Sequence, residues 1–157
     1  MFVDEQDQLR RDLGVGNKPG ETLVKRGTSF CIPMPAVGEF IIMIHSKKHD
    51  RFKTIIETFD KMVTKALLNP RFISDAKSAF EIAKELSESV SDYRDKITPM
   101  DALILSLAVT DQDCETFYTT DSQLNTLSRV SEIVYTWRED LGFPEMSIKP
   151  IADIIKM

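Results

Sequence analysis

Short apolar runs alternate along this 157-residue chain with longer amphipathic stretches. No hairpin signal such as Asn-Gly joins one apolar run to the next. Strands that alternate with helices, without tight hairpins, point to an α/β fold with a parallel sheet. No internal repeat, low-complexity tract or linker divides the chain, so residues 1–157 are expected to form a single domain.

Residues 4–13 are polar and helix-compatible, with Leu9 and Leu13 at an i,i+4 spacing. The glycines and proline of Gly14-Val-Gly-Asn-Lys-Pro-Gly20 then break structure, and a short helix over 21–26 follows. Ser29-Phe-Cys-Ile32 reads as a buried strand carrying Cys31. Pro35 suits the first turn of the next helix, which bears Ala36 to Ile44. An amphipathic helix spans 50–68, with Phe52, Ile55, Ile56, Phe59, Met62, Val63 and Ala66 on its apolar face and Asn69-Pro70 as its stop. Phe72-Ile73 is expected as a short edge strand, followed by a helix over 75–90 with Ala76, Ala79, Phe80, Ala83 and Leu86 inside.

Thr98-Pro-Met-Asp101 opens a helix whose body is apolar almost all round, as in a helix buried on most sides. Residues 115–119 form the next expected strand. It runs through Thr120-Asp121 into one helix with Leu124, Leu127, Val130, Ile133, Val134 and Trp137 on a single stripe, stopped by Gly142 and Pro144. That stripe, Trp137 included, is expected to serve as core or as a dimer contact. A late strand over 146–150 and a tail helix over 151–157 complete the reading.

The net charge of −5 gives no general attraction for nucleic acid. Two cysteines, Cys31 and a loop Cys114, make no disulfide framework and suit a reducing cytoplasm. The most apolar runs are too short to span a bilayer, and the early acids of Met-Phe-Val-Asp-Glu argue against a secretory signal. His45 and His49 stand at i,i+4, but Ser46 follows where a zinc protease helix needs Glu. The ligand set for zinc is therefore incomplete.

Glu39, Asp101 and Asp121 each stand where an apolar stretch meets a helix start. Each has a structural explanation. Thr98 to Asp101 has the form of a capping box, Asp121 that of an N-cap, and Glu39 falls where a helix dipole favours negative charge. Yet Glu39 and Asp101 lie beside strongly apolar helices, where solvent is not the obvious destination. Parallel α/β sheets gather such junctions at the carboxyl edge of their strands. Carboxylates brought together there repel one another unless a cation joins them.

The segments Ile32-Pro-Met-Pro-Ala-Val-Gly-Glu39-Phe, Thr98-Pro-Met-Asp101-Ala-Leu-Ile-Leu-Ser-Leu-Ala and Phe117-Tyr-Thr-Thr-Asp121 together resemble the motifs of the PIN domain family. The order and spacing match through the C-terminal two-thirds of the chain. The resemblance implies a three-layer α/β/α fold with a short, mostly parallel central sheet. It implies a Mg²⁺- or Mn²⁺-dependent endonuclease acting on single-stranded RNA, with Glu39, Asp101 and Asp121 as metal ligands and Thr120 orienting Asp121 or the attacking water. A toxin checked by an antitoxin protein is implied on the same grounds; a homodimer is a further expectation, through the stripe that carries Trp137. The alternative is a catalytically inactive PIN-like protein that binds RNA or protein.

The family begins with a central strand ending in Asp-x-Asn, and here Met1-Phe-Val-Asp4 is followed by Glu5-Gln6. Two readings stay open. Asp4 is a degenerate fourth ligand on a shortened strand, or residues 4–13 are helical and the true strand is missing or encoded upstream of Met1. If the nuclease reading holds, Lys25, Arg26, Lys47, Lys48, Arg51 and Lys53 are candidates to contact RNA phosphates. By charge alone they are a solvated surface.

Overall fold

The computed structural model describes residues 30–46, 52–65, 68–89 and 97–156. These residues form six α-helices and four short strands, a mixed α/β protein. Two compact units divide the chain: residues 1–71 with 151–157, and residues 72–150.

In the first unit, β1 (Phe30–Pro33) leads directly into α1 (Met34–Ser46), with Pro35 in the helix's first turn as expected. Helix α2 (Phe52–Thr64) precedes β2 (Leu68–Arg71), which pairs with β1 in parallel, Phe30 opposite Leu68 and Pro33 opposite Arg71. Val37 of α1 and Met62 of α2 are buried, and the rings of Phe40 and Phe59 meet at a tilt of 35°, 5.3 Å between centroids.

Three expectations are corrected here. Asn69-Pro70 lies within a strand instead of merely stopping a helix. Proline is tolerated there because a strand in a pair with one neighbour has a side on which no N–H is needed. The expected strand at Phe72-Ile73 is absent, and both side chains are exposed. Cys31 is exposed and not buried: successive side chains point to opposite faces, and Phe30 and Ile32 take the inner one.

In the second unit, α3 (Ala76–Ser89) and α4 (Pro99–Val109) pack extensively against each other, and α6 (Ser128–Asp140) packs against both. Strand β3 (Thr116–Thr119) pairs in parallel with β4 (Ser147–Pro150), Thr116 opposite Ser147 and Thr119 opposite Pro150. The core joins Ile82 and Leu86 of α3, Ile97, Ala102, Leu105 and Val109 at α4, and Val130, Ile133 and Val134 of α6. Trp137 and Leu127 pack partly buried against it, so the stripe is core, one of the two roles expected of it.

Helix α3 presents Ala79, Ile82 and Leu86 inward, whereas Phe80 is 58% exposed and Ala76 is exposed. Ala79, Ala83 and Leu86 thus face the core as expected, while Ile82 takes the inner place expected of Phe80, because α4 and α6 close on the Ile82 side. The single helix expected after Asp121 is two. Helix α5 (Ser122–Thr126) ends at Leu127, whose extended backbone (φ −77°, ψ 115°) also begins α6. The tail over Ile151–Lys156 winds as a 3₁₀ helix. The described strands form two separate parallel pairs.

Candidate functional site

The carboxylates expected to hold a cation occupy three different local settings. Asp101 sits in the first turn of α4, where Thr98 is the N-cap (φ −68°, ψ 150°). The backbone N–H of Asp101 donates to the Thr98 hydroxyl at 3.1 Å, and that hydroxyl donates back to the Asp101 carboxylate. Pro99 follows the cap at a position where its missing N–H costs nothing. The reciprocal pair is a variant of the capping box, in which the acid's partner is the cap hydroxyl itself.

Asp121 is the N-cap of α5, just past the carboxyl end of β3. Its carboxylate accepts from the Gln123 N–H at 2.7 Å, and its own N–H donates to the Thr119 hydroxyl at 3.0 Å. Thr120 is exposed between them. Asp101 and Asp121 are both half-buried and belong to the same compact unit.

Glu39 belongs to the other unit and is exposed on α1. The expectation that helix dipole and burial act on it is corrected: it is the sixth residue of α1, beyond the first turn where the dipole is felt, and Ile41 and Ile42 beside it are exposed too. Asp4 lies outside the described residues, as do His49, Lys25, Arg26, Lys47, Lys48 and Arg51. His45 is in the last turn of α1. Lys53 is exposed on α2, 3.9 Å from Glu57 one turn on, which is a solvated surface pair.

Among the described residues, no three His, Cys, Asp or Glu side chains gather closely enough to hold a metal ion. The donors at Asp101 and Asp121 are nonetheless chemically suited to a hard divalent cation, since each carboxylate brings a second oxygen besides the one engaged in capping.

The most unusual polar group of the second unit is one that sequence reasoning missed. Arg138, in the last turn of α6, is 1% exposed, and its guanidinium donates only to backbone carbonyls. Nε reaches Pro144 at 2.6 Å; Nη1 reaches Val109 at 3.1 Å and Asp111 at 2.7 Å; Nη2 reaches Cys114 at 3.1 Å and Gln112 at 3.5 Å. The ring of Phe143 lies 5.3 Å from the guanidinium carbon. All five donors of the planar fork are used. Burial lowers the Arg138 pKa from its ordinary value, opposed by the nearby Cys114 and Asp111. The residual negative end of α4 at Val109 favours the cation there. The sequence signal was present: Val130, Val134 and Arg138 recur at i, i+4 and i+8, which puts a charge on an otherwise apolar stripe.

Searches of protein-family models, curated proteins and solved structures return no match to this chain.

Proposed function

We propose that this chain is a metal-dependent endonuclease of single-stranded RNA, of PIN type, with Asp101 and Asp121 at the centre of its site. The observation that carries the reading is the place of Asp121: a carboxylate just past the carboxyl end of a parallel strand, at a helix start. Parallel α/β proteins bind their ligands at that edge. Asp101, at the start of a buried helix in the same unit, supplies the second acid.

Mg²⁺ or Mn²⁺ held there would lower the pKa of a bound water and neutralise charge at a scissile phosphate. Thr98 and the Gln123 N–H each hold one carboxylate in place, so the acids meet a cation with little side-chain freedom left to lose. Thr120, exposed beside Asp121, orients the substrate or the attacking water. Control by an antitoxin protein and a homodimeric assembly belong to the same proposal.

Thermal unfolding with and without Mn²⁺ tests the site. The parent should gain several degrees in Tm with millimolar Mn²⁺, and Asp101→Asn and Asp121→Asn should each lose that gain. Cleavage of a single-stranded RNA should stop with EDTA and with either variant. A parent that neither gains Tm nor cleaves RNA with Mn²⁺ would sink the reading. Mn²⁺ stabilisation and RNA binding without cleavage would select the inactive, binding form of the same fold.

A further inference from the structure

We propose that Arg138 is a positioning residue: its buried guanidinium fixes the end of α4 and the starts of β3 and β4 in one arrangement, and so sets where Asp121 stands relative to α4. Its consequence for catalysis rests on the nuclease reading; its structural content does not.

The five carbonyls it meets fall into three groups along the chain. Val109 is the last residue of α4, with Asp111 and Gln112 just beyond it. Cys114 lies two residues before β3, and Pro144 three residues before β4. One rigid, planar group therefore ties together the segments from which both strands set out. The strands are stitched to each other at that same end, where the Ser147 N–H donates to the Glu115 carbonyl at 3.0 Å and the Thr116 and Ser147 hydroxyls meet at 3.1 Å.

A four-residue strand spans only about 13 Å. It ends at Thr119, whose hydroxyl receives the Asp121 N–H. So short a strand pair has little stability of its own, and an anchor at its start governs where its far end lies. The acceptors are all backbone carbonyls, present whatever residues occupy those positions. The specificity of this anchor therefore lies in the Arg138 side chain and not in the residues whose carbonyls it meets. Lysine cannot replace it, because three donors on one nitrogen cannot reach carbonyls spread around a plane.

Amide hydrogen exchange by NMR on the full chain, as parent, Arg138→Lys and Arg138→Met, tests the proposal. Exchange should quicken about 100-fold at Thr116–Thr119 and Ser147–Lys149, the scale set by losing a buried charge-assisted hydrogen bond. The amides of Ile82, Leu86 and Leu105 in the core should keep parental protection. Equal acceleration everywhere would reduce Arg138 to a contributor to global stability and overturn the proposal, as would no acceleration at all.

Should neither variant fold, the parent still decides. A guanidinium held at five points shows separate, slowly exchanging N–H signals, and one averaged, fast-exchanging signal would overturn the assignment. Mn²⁺-induced broadening at the Asp101 and Asp121 amides, followed in the parent, reports separately on the cation. Its absence would remove the nuclease reading while the exchange pattern still judged Arg138.

Discussion

The indole N–H of Trp137 donates to the Glu85 carboxylate at 2.7 Å, joining α6 to α3 across the edge of the second unit's core. Arg129 approaches the other oxygen of Glu85 at 4.0 Å, so the acid is held from two directions. Trp137 is partly buried with its ring against the core, and the hydrogen bond satisfies its one polar atom.

Glu85→Ala should therefore lower unfolding stability by about 1–2 kcal/mol, since it strands a half-buried donor. The chain has a single tryptophan, so its fluorescence reads this site alone. A red shift of the emission in folded Glu85→Ala is expected as water reaches the indole. Unchanged emission and stability would show that the bond contributes nothing in solution.

Gly142 closes α6 with a left-handed backbone (φ 69°). Its N–H donates to the Glu139 carbonyl at 3.0 Å and that of Phe143 to the Arg138 carbonyl at 2.9 Å, the paired bonds of a Schellman motif. A Cβ at this position would meet nothing within 4 Å. Gly142→Ala should thus cost about 1–2 kcal/mol from backbone conformation alone, and Gly142→Asn less. Urea denaturation of both variants checks the order.

At the start of α4, Thr98→Ala removes both the cap for the Asp101 N–H and the hydroxyl that meets its carboxylate. A loss of about 1 kcal/mol is expected, with Thr98→Ser close to the parent. Equal denaturation midpoints for Thr98→Ala and the parent would deny the cap any energetic role.

Asp75 caps α3: its carboxylate accepts from the Ser78 N–H at 3.1 Å, and its backbone carbonyl accepts from Ala79 at 3.1 Å. Hydrogen bonding by the Ser78 side chain, then by its backbone N–H, lowers the Asp75 pKa below the ordinary 3.8. A carboxyl group depressed on folding stabilises the native state fully above its unfolded pKa, and that contribution fades as pH falls through the lower folded value. The stability gap between the parent and Asp75→Ala should accordingly be widest above about pH 4 and narrow below it. A gap that stays constant from pH 2 to pH 7 would remove the charged cap.

Much of the second unit was legible in advance because its signals are local. Thr98-Pro-Met-Asp101 announces its own cap, the run from Ala102 to Val109 announces a buried helix, and Gly142 announces its stop. The misread elements depend on partners distant in sequence. Leu68 to Arg71 is a strand because β1 lies alongside it, despite Pro70. Phe80 is outside because α4 and α6 close on the other side of α3. The break at Leu127 interrupts a stripe whose periodicity runs on unbroken in the sequence. Of the site, Asp101 and Asp121 were placed correctly at helix starts, while Glu39 proved to be exposed on α1 in the other unit.

The sequence by itself determined the mixed α/β class and the caps at Thr98 and Asp121, because the first follows from the spacing of apolar residues and the second from bonds made within a few residues. The sequence places Arg138 on the apolar stripe of Val130 and Val134, but only the tertiary structure decided which groups it meets. Near the end of a helix, an arginine is ordinarily a solvated cation beside the helix's negative pole. Here five carbonyls, the farthest along the chain 29 residues away, converge on its fork and replace water. Backbone carbonyls are the same at every residue, so no pattern of side chains could have announced where they would meet.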